Sequence, residues 1–331
     1  MFAANNRAIL ILATVTLATV SLMLVVLLAT RTEINLASIK PLGFLLSVQF
    51  LLVVYCRLRR LKGLQPIVET IFLFIALNFG LLPISYAGMR FNLPIADGWL
   101  SAMDHAIGFH WRPFIVSIDN RPLLAGLLFG AYTSFGPQLF LIPAYFALAG
   151  GVNRACAMVS AYAAIVIVSS VISIWFPSEG AFHFYGLHQS DLKNINIHFG
   201  VAYLSEFGAV RTQPVFEMGL DRIQGLLTFP SVHVAGAVLC TWAAWGSRYL
   251  WAPVALLNMA MAVSTISHGG HFAIDVVAGV FVALACIFLS RLSFQDADAG
   301  ATRAAEARFW REIFQAKWRS RNASAVPYSA K

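Results

Sequence analysis

Long apolar runs constrain this chain more than any other feature of its sequence. Stretches at about 8–30, 42–56, 68–88, 122–149, 155–176, 229–247, 251–267 and 270–290 carry few or no charged residues. Several reach the roughly 18 residues that a helix needs to cross a ~30 Å hydrocarbon core. The expected fold is therefore an all-α polytopic membrane protein with about eight transmembrane helices. Composition agrees: 11% of the 331 residues are charged, against about 25% in a soluble domain. A chain that is 59% hydrophobic also buries too much apolar surface to remain disordered. The second run is short, and Gly136-Pro137 interrupts the fourth, so that helix is expected to kink or split.

The few positive residues assign the sides. Arg57, Arg59, Arg60 and Lys62 follow the second run, and a second basic group lies beyond Arg291; short basic loops of this kind stay cytoplasmic. Eight spans then put both termini inside and make 31–41, 89–121 and 177–228 the outer segments. Counted this way, 15 of the 23 Lys and Arg residues are inside. The formal charge of +8 is thereby read as membrane anchoring, and no nucleic-acid partner is expected. The first run is too long for a signal-peptide core and is expected to be retained as a helix. Cys56, Cys156, Cys240 and Cys286 sit in or at the ends of helices, with no CxxC pair and so no disulfide framework.

Three regions follow: N-terminal helices and the first outer loop at 1–121, a helical membrane domain at 122–290, and a basic tail at 291–331. In the tail, Phe309, Trp310, Ile313, Phe314 and Trp318 recur at helical spacing with Arg303, Arg311, Lys317 and Arg319 between them. This pattern predicts an amphipathic helix on the cytoplasmic leaflet, held there by anionic lipid.

All eight histidines, His105, His110, His183, His188, His198, His233, His268 and His271, fall on outer segments or outer helix ends. Two local patterns concentrate the chemistry. Phe229-Pro230-Ser231-Val232-His233 stands where an outer loop becomes the sixth helix. A helix start of this kind offers free N–H groups, a hydroxyl from Ser231 and an imidazole able to move a proton near neutral pH. The second pattern runs from Ser264 to Asp275 and contains Ser264, His268, His271 and Asp275. His271 and Asp275 are four apart, a spacing that lets them share a helix face and hydrogen-bond. Acids inside apolar helices are costly and mark function. Topology places His233 and His271 at the same depth on the same face, an arrangement suited to a nucleophile, its orienter and an acid.

At these residues the chain resembles the type 2 phosphatidic acid phosphatase superfamily, whose signature pairs Pro-Ser-x-His with a later Ser-Arg-x5-His-x3-Asp. The Phe-Pro-Ser-Val-His and His-Phe-Ala-Ile-Asp-Val forms are similar to its inositol phosphorylceramide synthase and sphingomyelin synthase branch. The resemblance is carried by 221–285. It implies a phosphohistidine on His271, with Asp275 fixing the tautomer of that imidazole and His233 protonating the leaving alkoxide. It implies no metal and no cofactor. The expected substrate is a membrane lipid carrying a phosphate or phosphodiester head group, and the acceptor is water or an alcohol. The expected site is the outer face of a multi-pass protein, read as one of a bacterial inner membrane.

Two departures bear on phosphate binding. Thr265 stands where the signature has Arg, and the superfamily's Lys-x6-Arg-Pro motif is absent, although Arg112-Pro113 and Arg121-Pro122 keep its second half. Cationic partners for phosphate are then sought among Arg222, Arg211, Arg112, Arg121 and Lys193. Arg222, nearest in sequence to Ser231, is grouped with Ser231, Ser264 and His268 as a substrate-binding candidate. Two other classes compete. His268, His271 and Asp275 could ligate a metal from one helix face, or the chain could be a transporter or lipid-binding protein retaining the fold without catalysis. Aromatics of the 177–228 loop and just before it (Trp175, Phe176, Phe182, Phe184, Tyr185 and Tyr203) are read chiefly as an interfacial belt.

Overall fold

The computed structural model describes residues 2–294 and 299–323. Helices dominate. α1 (Phe2–Thr30), α2 (Leu36–Leu58) and α3 (Gln65–Ala87) are followed by the short α4 (Asp97–Ala106) and α5 (Trp111–Asp119). Next come α6 (Pro122–Thr133), α7 (Phe135–Leu148) and α8 (Val152–Trp175). A run of small elements, α9 (Ala181–Phe184), α10 (His198–Val201) and α11 (Leu204–Thr212), leads to α12 (Val232–Ala244), α13 (Trp251–Ser267), α14 (Ala273–Ser293) and α15 (Ala299–Ala323).

Five of these helices, α1, α2, α3, α8 and α14, are each long and apolar enough to cross a membrane, whereas α7, α12 and α13 are shorter apolar helices. The protein is a multi-pass integral membrane protein. The fourth apolar run is indeed two helices, but the break falls at Ser134, just before the Gly136-Pro137 pair. α6 in turn is bent 108° from α5. At ~1.5 Å per residue, the 13 residues of α12 span less than the hydrocarbon core, which leaves its first turn in a protein-lined recess.

α8 is the hub, packing against α1, α3, α7, α12 and α14. Its sequence explains the position. Ala155, Ala157, Ala161 and Ala163, together with Ser160, Ser169, Ser170 and Ser173, are buried, and such small residues let neighbouring backbones approach closely. α2 shows the opposite character, with Phe44, Phe50, Leu51 and Leu58 all turned outward on the face expected to meet lipid.

The segments at 88–121 and 177–228 form a cap over one end of the bundle. A parallel pairing of β1 (Thr32–Ile34) with β2 (Phe216–Met218) ties the link after α1 to this cap. Segments assigned to one side by charge therefore do meet. The other end holds a second group of polar contacts. Arg57 Nε donates to Glu69 Oε1 at 2.6 Å, Arg154 Nε donates to Ala243 O at 2.8 Å, and the Tyr145 and Ser247 hydroxyls donate to Glu306 on α15. α15 is thus more than a surface helix, because Thr302, Ala305 and Glu306 are buried against the bundle. The side chains of Ile313, Lys317, Trp318 and Arg319, assigned to the same helix from sequence, lie outside the described residues.

Candidate active site

The turn between α13 and α14 carries His271. Gly270 adopts φ +69, a left-handed conformation that favours glycine, and the chain then straightens through Phe272, the N-cap of α14. This corrects the simple i, i+4 picture: His271 precedes the helix, and Asp275 is its third residue rather than a group deep in the span. The two still meet. Asp275 Oδ2 lies 3.1 Å from His271 Nδ1 and also accepts from the Phe272 N–H at 3.0 Å. Both side chains are buried.

A carboxylate accepting at Nδ1 keeps the proton there and leaves the lone pair on Nε2. That second nitrogen lies 3.3 Å from Ser231 Oγ. Ser231 is the N-cap of α12 and accepts from Val234 N–H at 3.4 Å, as an ordinary helix start does. Its own N–H donates to Asp275 O at 3.2 Å, which joins the two motifs through the backbone. Gly279 makes this approach possible: a Cβ there would meet Ser231 O at 2.5 Å.

His233 is the second residue of α12. Its ring stacks on Tyr132, with centroids 4.6 Å apart and planes 15° apart, and sits 4.4 Å from Phe135. The His233 and His271 rings are 6.5 Å apart. Both line a cavity of about 180 Å³ that runs between α3, α8 and the start of α12 under a roof at Ile223–Thr228. Its polar lining includes Asn78, Ser85, Gln224 and Thr228, and among the described residues none that line it is Lys, Arg, Asp or Glu. Phe199 and Tyr203 also line it. The aromatics of residues 175–203 therefore divide: Tyr203 faces the cavity, Phe182 is buried within the cap, and Trp175 and Phe184 are exposed as a belt would be.

A family model described as the PAP2 superfamily matches residues 98–289. The chain belongs to the PAP2 superfamily. Members are generally phosphatases or phosphotransferases. No curated protein and no solved structure matches the chain.

Not every site residue expected of this PAP2 chain converges. Ser231, His233, His271 and Asp275 come together; Ser264, His268 and Arg222 do not join them. The Ser264 hydroxyl is turned back to Met261 O within α13. His268 is fully buried, with Nδ1 3.0 Å from Ser267 Oγ and its ring against Phe129. Among the described residues no group of three or more His, Cys, Asp or Glu is placed to hold a metal ion. Arg222, itself exposed, ends the turn at Leu220–Arg222 and is absent from the cavity wall. Thr265, where the signature has Arg, is buried; its hydroxyl donates to Ala262 O and its carbonyl accepts from His271 N–H. The other cations are engaged elsewhere. Arg112 donates to Tyr185 O, Arg121 to Ser117 O, and Arg211 to Leu93 O. Lys193 lines a separate outer cavity with His183, His188 and His198.

Sequence reasoning missed the acids of α4. Asp97 Oδ2 accepts from Glu179 N–H at 3.1 Å, while Asp104 accepts from Ala273 N–H at 2.9 Å and Ile274 N–H at 2.8 Å. Burial pushes both carboxyls above the ordinary carboxylate value, against the pull of those hydrogen bonds. Asp119, at the end of α5, goes the other way. Burial opposes its ionisation, yet the amides of Asn194, Lys193 and Ile195 outweigh it and hold the carboxyl low. The available signal was two acids seven apart, on one face of a short helix in a loop with few charges.

Proposed function

We propose that the protein moves or removes a phosphoryl-linked group on a membrane lipid through a phosphohistidine on His271. The observation that carries this reading is the orientation of one imidazole: Nδ1 is against Asp275 and Nε2 faces Ser231 and the cavity that His233 also lines. Nε2 attacks phosphorus as the bond to the leaving alkoxide breaks, and His233 gives its proton to that oxygen. Water or an alcohol then attacks the phosphohistidine, His233 takes the proton back, and the P–N bond breaks. Ser231 helps hold the phosphoryl oxygens. The residues present suit a mechanism without metal or cofactor.

The uncharged cavity wall favours the head-group transferase form of this reading, similar to inositol phosphorylceramide synthase. A phosphodiester brings one negative charge and a phosphomonoester up to two, and a wall without Lys or Arg holds the lesser charge at lower cost. Charge distribution further supports an outward-facing site, in a bacterial inner membrane, with both termini cytoplasmic. α15 would then lie on anionic lipid at the opposite face. The working domain is 122–290, with 1–121 supplying part of the cavity and 291–331 the tail.

The test incubates purified protein with a labelled lipid extract and identifies products by mass spectrometry. Turnover should be lost in His271→Ala and in His233→Ala, should survive EDTA and should be inhibited by vanadate, which mimics five-coordinate phosphorus. Turnover that is intact in His271→Ala sinks the mechanism. Loss to EDTA restored by zinc points to the metalloenzyme, and lipid flux in proteoliposomes without product points to a carrier.

A further inference from the structure

The turn that carries His271 contains two adjacent glycines, yet its backbone is held at nearly every residue. Gly270 O accepts from Ala181 N–H at 2.7 Å, and His271 N–H donates to Thr265 O at 3.1 Å. Trp111 Nε1–H donates to His271 O at 3.1 Å. Beyond Phe272, Asp104 takes two successive amides, Ala273 at Oδ2 and Ile274 at Oδ1. Four of these five hydrogen bonds come from the cap rather than from α13 or α14, and three of the four come from the single stretch 104–111. Asp104 is fully buried and Trp111 nearly so. The Trp111 ring is itself fixed, stacked on Tyr185 at 5.1 Å and edge-on to Phe182 at 5.0 Å. Neither side chain lines the cavity with His271, so neither touches a substrate there.

We infer that Asp104 and Trp111 are positioning residues: together they clamp the backbone on both sides of His271 and so aim Nε2 at the reacting phosphorus. The consequence is specific. An imidazole has only two side-chain torsions, so its direction follows its backbone. Attack in line depends steeply on direction, because a misplacement of about 1 Å can cost ~100-fold in rate. Binding a phosphate ion in the ground state asks far less of that alignment. Losing the clamp should therefore weaken the transition state much more than the ground state. The same contacts have a second effect. With Ala273 and Ile274 N–H both given to Asp104, the start of α14 is closed to the substrate anion, which is left to the Ser231 end of α12.

This inference rests on the phosphohistidine reading, and its test separates the two. Binding of orthovanadate and of inorganic phosphate is measured by titration calorimetry on the full chain in detergent, for wild type, His271→Ala, Asp104→Ala and Trp111→Phe. The last variant keeps an aromatic ring and removes only the N–H donor, so it reports even where Asp104→Ala folds poorly. In the expected result both clamp variants bind vanadate at least ~10-fold more weakly while phosphate affinity changes less than about 3-fold. Wild-type vanadate affinity in Trp111→Phe, or an equal loss for both anions, overturns the clamp. Wild-type vanadate affinity in His271→Ala overturns the phosphohistidine reading instead.

Discussion

Two buried acids at opposite ends of the bundle receive hydrogen bonds in similar ways. Asp104, under the cap, accepts from the backbone amides of Ala273 and Ile274. Glu306, at the far end, accepts from the hydroxyls of Tyr145 and Ser247 and from Arg248 N–H at 3.2 Å. Each carboxylate offsets its burial with several donors, as buried charges must. What they hold differs. Glu306 ties α15 to the turn between α12 and α13 and to α7, whereas Asp104 ties the cap to the turn that carries the His271 imidazole. A similar polar device thus serves assembly at one end and alignment at the other.

The largest effect is expected at the pair that Asp104 supports. Asp275→Asn keeps an oxygen for the Phe272 amide but no longer enforces the proton on His271 Nδ1. Turnover should fall by roughly 10²–10⁴ while the protein stays folded, in line with the loss seen when a triad carboxylate becomes an amide. Labelled-lipid turnover beside a thermal melt checks both halves. A variant that unfolds instead would make the histidine end an assembly device as well.

Gly279→Ala comes next. The added Cβ meets backbone, Ser231 O at 2.5 Å, so the start of α12 must move away from α14. A shift of a few tenths of an ångström to 1 Å should cost about 10- to 100-fold in turnover and ~1–3 kcal/mol in stability. Glu306→Ala should show the reverse proportions, losing ~1–3 kcal/mol because donors are left unpaired and keeping its turnover. If Glu306→Ala lost turnover without stability, the contrast between the ends would fail.

Much of this arrangement was legible in the sequence, and the part that was not has a physical explanation. Apolar runs and the placement of Arg and Lys suffice to find the helices and to say which segments share an end, because the bilayer penalises any other arrangement. His271, Asp275, Ser231 and His233 are legible because helix starts and spacing place them. Asp104 and Trp111 are not, since their function depends on a meeting with residues 271–274, about 160 positions away in the chain. Arg222 illustrates the converse: nearness in sequence to Ser231 does not put it on the cavity wall, which residues 223–228 line instead. His268 and Ser264 share a helix end with His271, but the Ser264 hydroxyl is turned back to Met261 O and His268 meets Ser267 through Nδ1 and does not line the cavity.

The smallest effect belongs to the cap itself and is read by pH. Asp119 accepts backbone N–H bonds from Lys193, Asn194 and Ile195, and these hold its carboxyl below the ordinary value of 3.8. A depressed carboxyl stabilises the folded state fully above the ordinary value and loses that contribution as pH falls through the folded one. The 193–195 loop should thus keep its protection from hydrogen exchange at pH 5 and loosen only as the pH falls below the ordinary carboxylate value, after correction for intrinsic exchange. Asp119→Asn should remove this acid dependence and lower protection at pH 5, with turnover little changed, because the loop borders the outer cavity and not the one shared by His233 and His271. If turnover fell with loop protection, the outer cavity would belong to the reaction, and the division between the cap's assembly contacts and the contacts that aim His271 would have to be redrawn.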